Sequence, residues 1–145
     1  MKKLILDVSD LLNHKAESGD QCIDRLTGSL KKREGIKKVE LNENKKSAPQ
    51  LCIYFDEEHT SEDRIKQIAQ ETGDKLDKTF GHLWVKMKSV NDTSHLEAAS
   101  TVLLNIKGVM NVLVVPTGWI FLEFNKYITQ ESILRELIEK MDLVI

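Results

Sequence analysis

The sequence predicts an α+β protein of two tandem βαββαβ units, each an antiparallel four-stranded sheet covered by two helices. An internal repeat, matched shifts in apolar periodicity and matched glycines predict it. Cys22-Ile23-Asp24-Arg25-Leu26 through Leu30 to Gly35-Ile36 lies without a gap over His95-Leu96-Glu97-Ala98-Ala99 through Leu103 to Gly108-Val109. Past a hairpin that is longer in the first half, a second constant register pairs Leu51 with Ile120, Phe55 with Phe124, Thr60 with Thr129, Ile65 with Leu134 and Ile68 with Leu137.

Each unit opens with a strand. Leu4, Leu6 and Val8, like Leu83, Val85 and Met87, alternate with other side chains as in a sheet covered on one face. Ile23, Leu26 and Leu30, and then Leu96, Ala99, Leu103 and Ile106, recur every three or four residues and predict the first helix of each copy. Gly35 and Gly108 follow turns that contain Lys or Arg and are expected to close these helices in a left-handed cap. Ile36, Val39 and Leu41, the polar linker Asn42–Ser47 and Leu51 to Phe55 make one hairpin; Val109–Val115 and Trp119–Phe124 make the other around Pro116-Thr117-Gly118. Thr60-Ser61-Glu62-Asp63 and Thr129-Gln130-Glu131 put hydroxyls and acids at the start of a second helix, whose stripe is Ile65, Ile68 and Ala69, or Leu134, Leu137 and Ile138. Gly73 is expected to end the first of these, with Leu76 to Phe80 as a fourth strand running into His82–Met87. This order is the ferredoxin-like unit, with one domain over residues 1–80 and the second over 81–145.

Composition narrows the function classes. With 41% apolar and 30% charged residues and two prolines in 145, the chain reads as an ordered globular protein. A net charge of -2 provides no global attraction to nucleic acid or an anionic membrane, so any partner is found by local chemistry. Cys22 and Cys52 are too few for a disulfide framework and fit a cytoplasmic location. The opening MKKLILDV is too short in its apolar tract for a signal peptide, and Val109 to Phe124 is interrupted by Asn111, Pro116, Gly118 and Glu123, so no membrane span is predicted.

The first-helix spacing followed by Gly-Ile or Gly-Val resembles the heavy-metal-associated domain family, twice over almost the whole chain. Members carry Gly-Met-x-Cys-x-x-Cys between the first strand and the first helix. Here the frame holds Gly19-x-x-Cys22 in the first copy and Asp92-x-x-His95 in the second, with Val90 at the methionine position. Neither copy has the thiolate pair that holds Cu(I). Asp92 and His95 form a harder donor pair suited to Zn(II), Ni(II) or Co(II), though two ligands fall short of the three or four of a zinc site; the simpler reading is that Asp92, Thr93 or Ser94 caps the helix. Cys22 reads as a small residue in the first helical turn, and His14, in a loop longer than its counterpart, can reach Cys22 and Asp20. His59 and His82 read as solvated or capping, and Cys52 as sheet packing. No nucleophile–base pair, RNA-binding aromatic run or glycine-rich phosphate loop is present.

The resemblance implies a non-catalytic cytosolic regulatory or docking module of a heavy-metal-transporting P-type ATPase with eroded thiolate sites. Its partners would be other cytosolic domains of that transporter or a separate protein, with no nucleic acid. No cofactor is required; a weakly held Zn, Ni or Co ion is the candidate ligand. The chain ends where the last strand of the second copy has barely begun, as expected of a segment of a longer protein. The alternatives are a stand-alone ferredoxin-like adaptor, a small-ligand regulatory domain, or a weak Zn/Ni/Co-binding module.

Overall fold

A computed structural model describes residues 1–14, 20–44, 47–87, 93–114, 119–140 and 143–144. The chain divides into two compact units, Met1–Asp77 and Lys78–Ile145. The first holds β1 (Lys2–Asp7), a 3-10 turn (Val8–Asp10), α1 (Gln21–Lys31), β2 (Ile36–Asn44), β3 (Ser47–Phe55) and α2 (Glu62–Thr79), whose last residues enter the second unit. There follow β4 (Phe80–Met87), α3 (Thr93–Leu104), β5 (Val109–Val114), β6 (Ile120–Asn125), α4 (Glu131–Glu139) and the two-residue β7 (Leu143–Val144).

Both sheets are antiparallel and centred on the returning strand of a hairpin. The first has the order β1-β3-β2, with Leu4 opposite Ile53 and Val39 opposite the same residue. The second has β5-β6-β4, with Leu83 and Val112 both opposite Leu122; β7 adds to the edge of β4 through Lys86 and Met87. Leu26, Leu30, Leu51, Ile53, Phe55 and Ile65 are buried in the first unit. In the second, Leu83, Val85, Leu103, Ile120, Leu122, Phe124, Leu134 and Ile138 form one core cluster. Apart from Leu41 and Leu137, each 37% exposed, they follow the stripes read from periodicity, since burying one helical face against one sheet face removes the most apolar area from water.

Four expectations are corrected. The first sheet has three strands rather than four, because residues 76–79 continue α2 instead of forming a strand. Gly73 lies inside that helix and serves close packing: a Cβ there would stand 2.1 Å from the Leu11 carbonyl oxygen. Gly35 and Gly108 do take left-handed φ values of 87° and 98°, but they sit beyond the helix ends, where the chain turns into β2 and β5. Thr129 does not cap α4, whose N-cap is Gln130 without a side-chain hydrogen bond. Ser61 does accept from Arg64 N at 3.2 Å, opening α2.

Candidate metal centre

Within the first unit, three of the predicted donors converge. Asp20 has extended backbone at the start of α1, and its Oδ1 accepts from Cys22 N at 2.8 Å, satisfying an otherwise orphaned helix donor. The same carboxylate turns Oδ2 toward His14 Nε2 at 2.6 Å. Cys22, in the first turn, brings Sγ to the same place, so that one ligand atom from each of His14, Asp20 and Cys22 lies within 4.8 Å of the others. Arg25 Nη1 donates to Cys22 Sγ at 3.5 Å.

The elements that hold His14 lie far away in sequence. The Leu11 carbonyl fits against Gly73 of α2, and Asn13 N donates to both carboxylate oxygens of Asp77 at 3.2 and 3.1 Å. Asp77 Oδ1 also lies 4.0 Å from His14 Nδ1. The unexpected continuation of α2 past Gly73 is therefore what anchors the segment carrying His14. Asp20 and Cys22 are each 1% exposed, whereas the His14 side chain keeps 11%. A carboxylate so buried is tolerable because both of its oxygens have partners.

An imidazole nitrogen, a carboxylate oxygen and a sulfur make a mixed donor set that suits Zn(II) or Co(II) better than Cu(I). Donor atoms around a tetrahedral zinc stand about 3.3–3.8 Å apart, a spacing that atoms lying within 4.8 Å of one another can reach by small side-chain adjustments. The His14–Asp20 contact would open as the cation replaced the proton between them. Three protein ligands leave a fourth position for water or a further donor.

The other predicted residues are placed differently. Gly19, Asp92 and Val90 fall outside the described residues; the backbone of His95 lies in α3, but its side chain is also outside them. His59 pairs through Nδ1 with Asp56 Oδ2 at 2.9 Å, in a turn. His82, expected to be solvated or capping, has a side chain only 6% exposed: Nε2 meets Glu123 Oε2 at 3.1 Å and the ring stacks on Phe121 at 5.3 Å. These two residues are directly opposite across the β4–β6 ladder. At the matching place of the first sheet Lys3 and Tyr54 are opposite, with the Lys3 ammonium 5.9 Å from the Tyr54 ring centroid. Cys52 is buried in β3, as sheet packing requires.

No family model and no curated protein matches the sequence. Among solved structures, the N-terminal extension from Cupriavidus metallidurans CzcP is 24% identical, with a TM-score of 0.86 over 99% of this chain and 98% of that one. The two chains share a fold. The N-terminal soluble domains of Bacillus subtilis CopA give 16% identity over 99% of this chain and 90% of theirs, but a TM-score of 0.38. The water-soluble region of the P-type ATPase CopA from Bacillus subtilis gives 17%, the same coverage and 0.39. At such TM-scores the CopA structures do not bear on the fold of this chain. Among the described residues, no helix is long and apolar enough to cross a membrane.

Proposed function

We propose that the chain is a non-catalytic regulatory module of a heavy-metal-transporting P-type ATPase, built from two degenerate metal-associated units, and that its first unit binds a divalent transition ion. The convergence of His14, Asp20 and Cys22 on one buried place carries this reading. The resemblance of the helix-and-glycine frame to metal-associated domains supports it, as does the fold shared with the CzcP extension. Cys22 keeps the second thiolate position of the family frame, and His14 and Asp20 would supply the donors that the missing thiolate no longer provides. The ion would be of the Zn(II) or Co(II) class, with Cu(I) disfavoured for want of a second soft ligand.

Cobalt provides the direct test. Titration of Co(II) into the reduced chain should raise a cobalt–thiolate charge-transfer absorption, which Cys22→Ser abolishes and Zn(II) displaces. Asp20→Asn retains an oxygen for the Cys22 N–H but loses ligand charge, and should weaken binding about 10-fold or more. Because the ligands bind in deprotonated form, affinity should fall as pH is lowered. Asp92→Ala/His95→Ala should leave the charge-transfer band intact. Unchanged absorption at millimolar Co(II), or a band that survives Cys22→Ser, would reject the site.

A further inference from the structure

The two units repeat one turn with opposite chemistry. After β3, Asp56 N donates to Gly35 O at 2.8 Å, and His59 N and Thr60 N return to Asp56 O at 3.1 Å each. After β6, Asn125 N donates to Gly108 O at 2.8 Å, and Ile128 N and Thr129 N return to Asn125 O at 3.1 Å each. Even the side-chain bond repeats: Glu58 N to Asp56 Oδ1 at 3.0 Å and Tyr127 N to Asn125 Oδ1 at 2.8 Å. On this shared backbone the first unit carries Glu57-Glu58-His59 and the second Lys126-Tyr127-Ile128.

The neighbouring turn before the next strand differs in the same direction. Glu34 precedes Gly35, whereas Lys107 precedes Gly108; Lys37 in β2 corresponds to Met110 in β5. The two turns of the second unit meet, since a Cβ on Gly108 would stand 3.2 Å from Ile128 Cγ2. They form one tip, on which Tyr127 is 79% exposed, Ile128 50% and Met110 45%, flanked by exposed Lys107 and Lys126. Glu131, in the first turn of α4, is ion-paired with Arg135 at 3.2 Å.

Leaving a tyrosine and two aliphatic side chains in water forgoes burial that the same backbone avoids needing in the first unit. An aromatic ring that stands clear of its neighbours, aliphatic side chains beside it and lysines around them match the layers of a lipid interface: ring at the headgroups, aliphatics below, ammonium groups at the phosphates. We propose that this tip, formed by Lys107, Met110, Lys126, Tyr127 and Ile128, docks peripherally on an anionic lipid bilayer surface. At the matching places the first unit carries Glu34, Lys37 and Glu57, the last 3.8 Å from the Lys2 ammonium, so its tip is of mixed charge and lacks the exposed ring and apolar side chains that the second tip presents. The inference is independent of metal binding.

Vesicle flotation with the full chain tests the assignment. Phosphatidylcholine vesicles containing phosphatidylglycerol should carry the protein up at low ionic strength, pure phosphatidylcholine vesicles much less, and salt should weaken the association. Each lysine near an anionic surface contributes about fivefold in partitioning, so Lys107→Glu/Lys126→Glu should lower it by more than about tenfold. Tyr127→Asp should also reduce flotation, with circular dichroism and thermal unfolding unchanged. No flotation at millimolar lipid, or equal flotation of the charge-reversed variant, would overturn the proposal. Retention on immobilised poly-glutamate without vesicle binding would assign the tip to an acidic protein surface and overturn it equally.

Discussion

In the first unit, the segment after β1 turns back through Leu11 to His14 and is held there by α2, through the close approach at Gly73 and the Asp77 carboxylate. In the second, β4 faces Glu123 and Phe121 across the ladder with His82, and its turn after β6 carries Lys126, Tyr127 and Ile128. Strand order, hairpins and the backbone hydrogen bonds of the turn are repeated, while His14, Asp20 and Cys22 draw together in the first unit and the exposed apolar, cationic tip occurs in the second. The features common to the two units are those that satisfy the backbone and bury the sheet face, because losing them costs the fold. Side chains in the loops can differ between the units at little cost, since a surface substitution commonly changes stability by less than about 0.5 kcal/mol.

The largest expected effect is at Gly73. A Cβ at that position meets a backbone carbonyl, which cannot rotate away as a side chain could, so Gly73→Val should destabilise the first unit by about 3 kcal/mol or more. Because the same contact anchors the His14 segment, the cobalt signal should be lost with it. Thermal unfolding together with cobalt absorption checks both; a variant of native stability would show that α2 does not press on Leu11.

The two left-handed glycines sharpen the comparison at smaller amplitude. Both Gly35→Ala and Gly108→Ala place a side chain in a disfavoured backbone region, at a cost of about 1 kcal/mol or more. The nearest atom to the new Cβ is 3.0 Å away at Gly35 but 2.7 Å at Gly108, where Thr129 and Ile128 crowd the turn. The second substitution should therefore cost more, as measured by denaturant unfolding of each variant. Equal losses would mean that the two turns relax alike.

The smallest effect separates the two turns by pH. The Glu58 N–H, followed by His59, holds the Asp56 carboxyl below its ordinary range, whereas Asn125 makes the same bond in the second unit without titrating. A depressed carboxyl favours the folded turn above the unfolded pKa of about 3.9, and that contribution fades as pH falls through the folded value. The Glu58 amide should shift in an NMR titration with a midpoint under 3.9, and Asp56→Asn should flatten the response attributable to this carboxyl. A midpoint at or above the ordinary value would refute this account of the turn.

Local pattern carried much of the architecture. Leu26 and Leu30, one helical turn apart, and Leu51 and Ile53, on one side of a strand, are all buried where periodicity places them. Gly73 shows where such reasoning stops: a glycine inside a helix and one that ends it look alike in sequence, and only the Leu11 carbonyl distinguishes them. The order His14, Asp20, Cys22 likewise allowed a trio without requiring one, because closing that loop depends on Asp77, distant in the chain.

By itself, the amino-acid order determined the paired hairpins and the helical stripes, since each follows from spacings of two to four residues. Tertiary structure alone decided that α2 runs on to Thr79, that three donors share one buried place, and that His82 meets Glu123. Those outcomes depend on which distant groups come close enough to exclude water, and contact distance is not encoded in any local period.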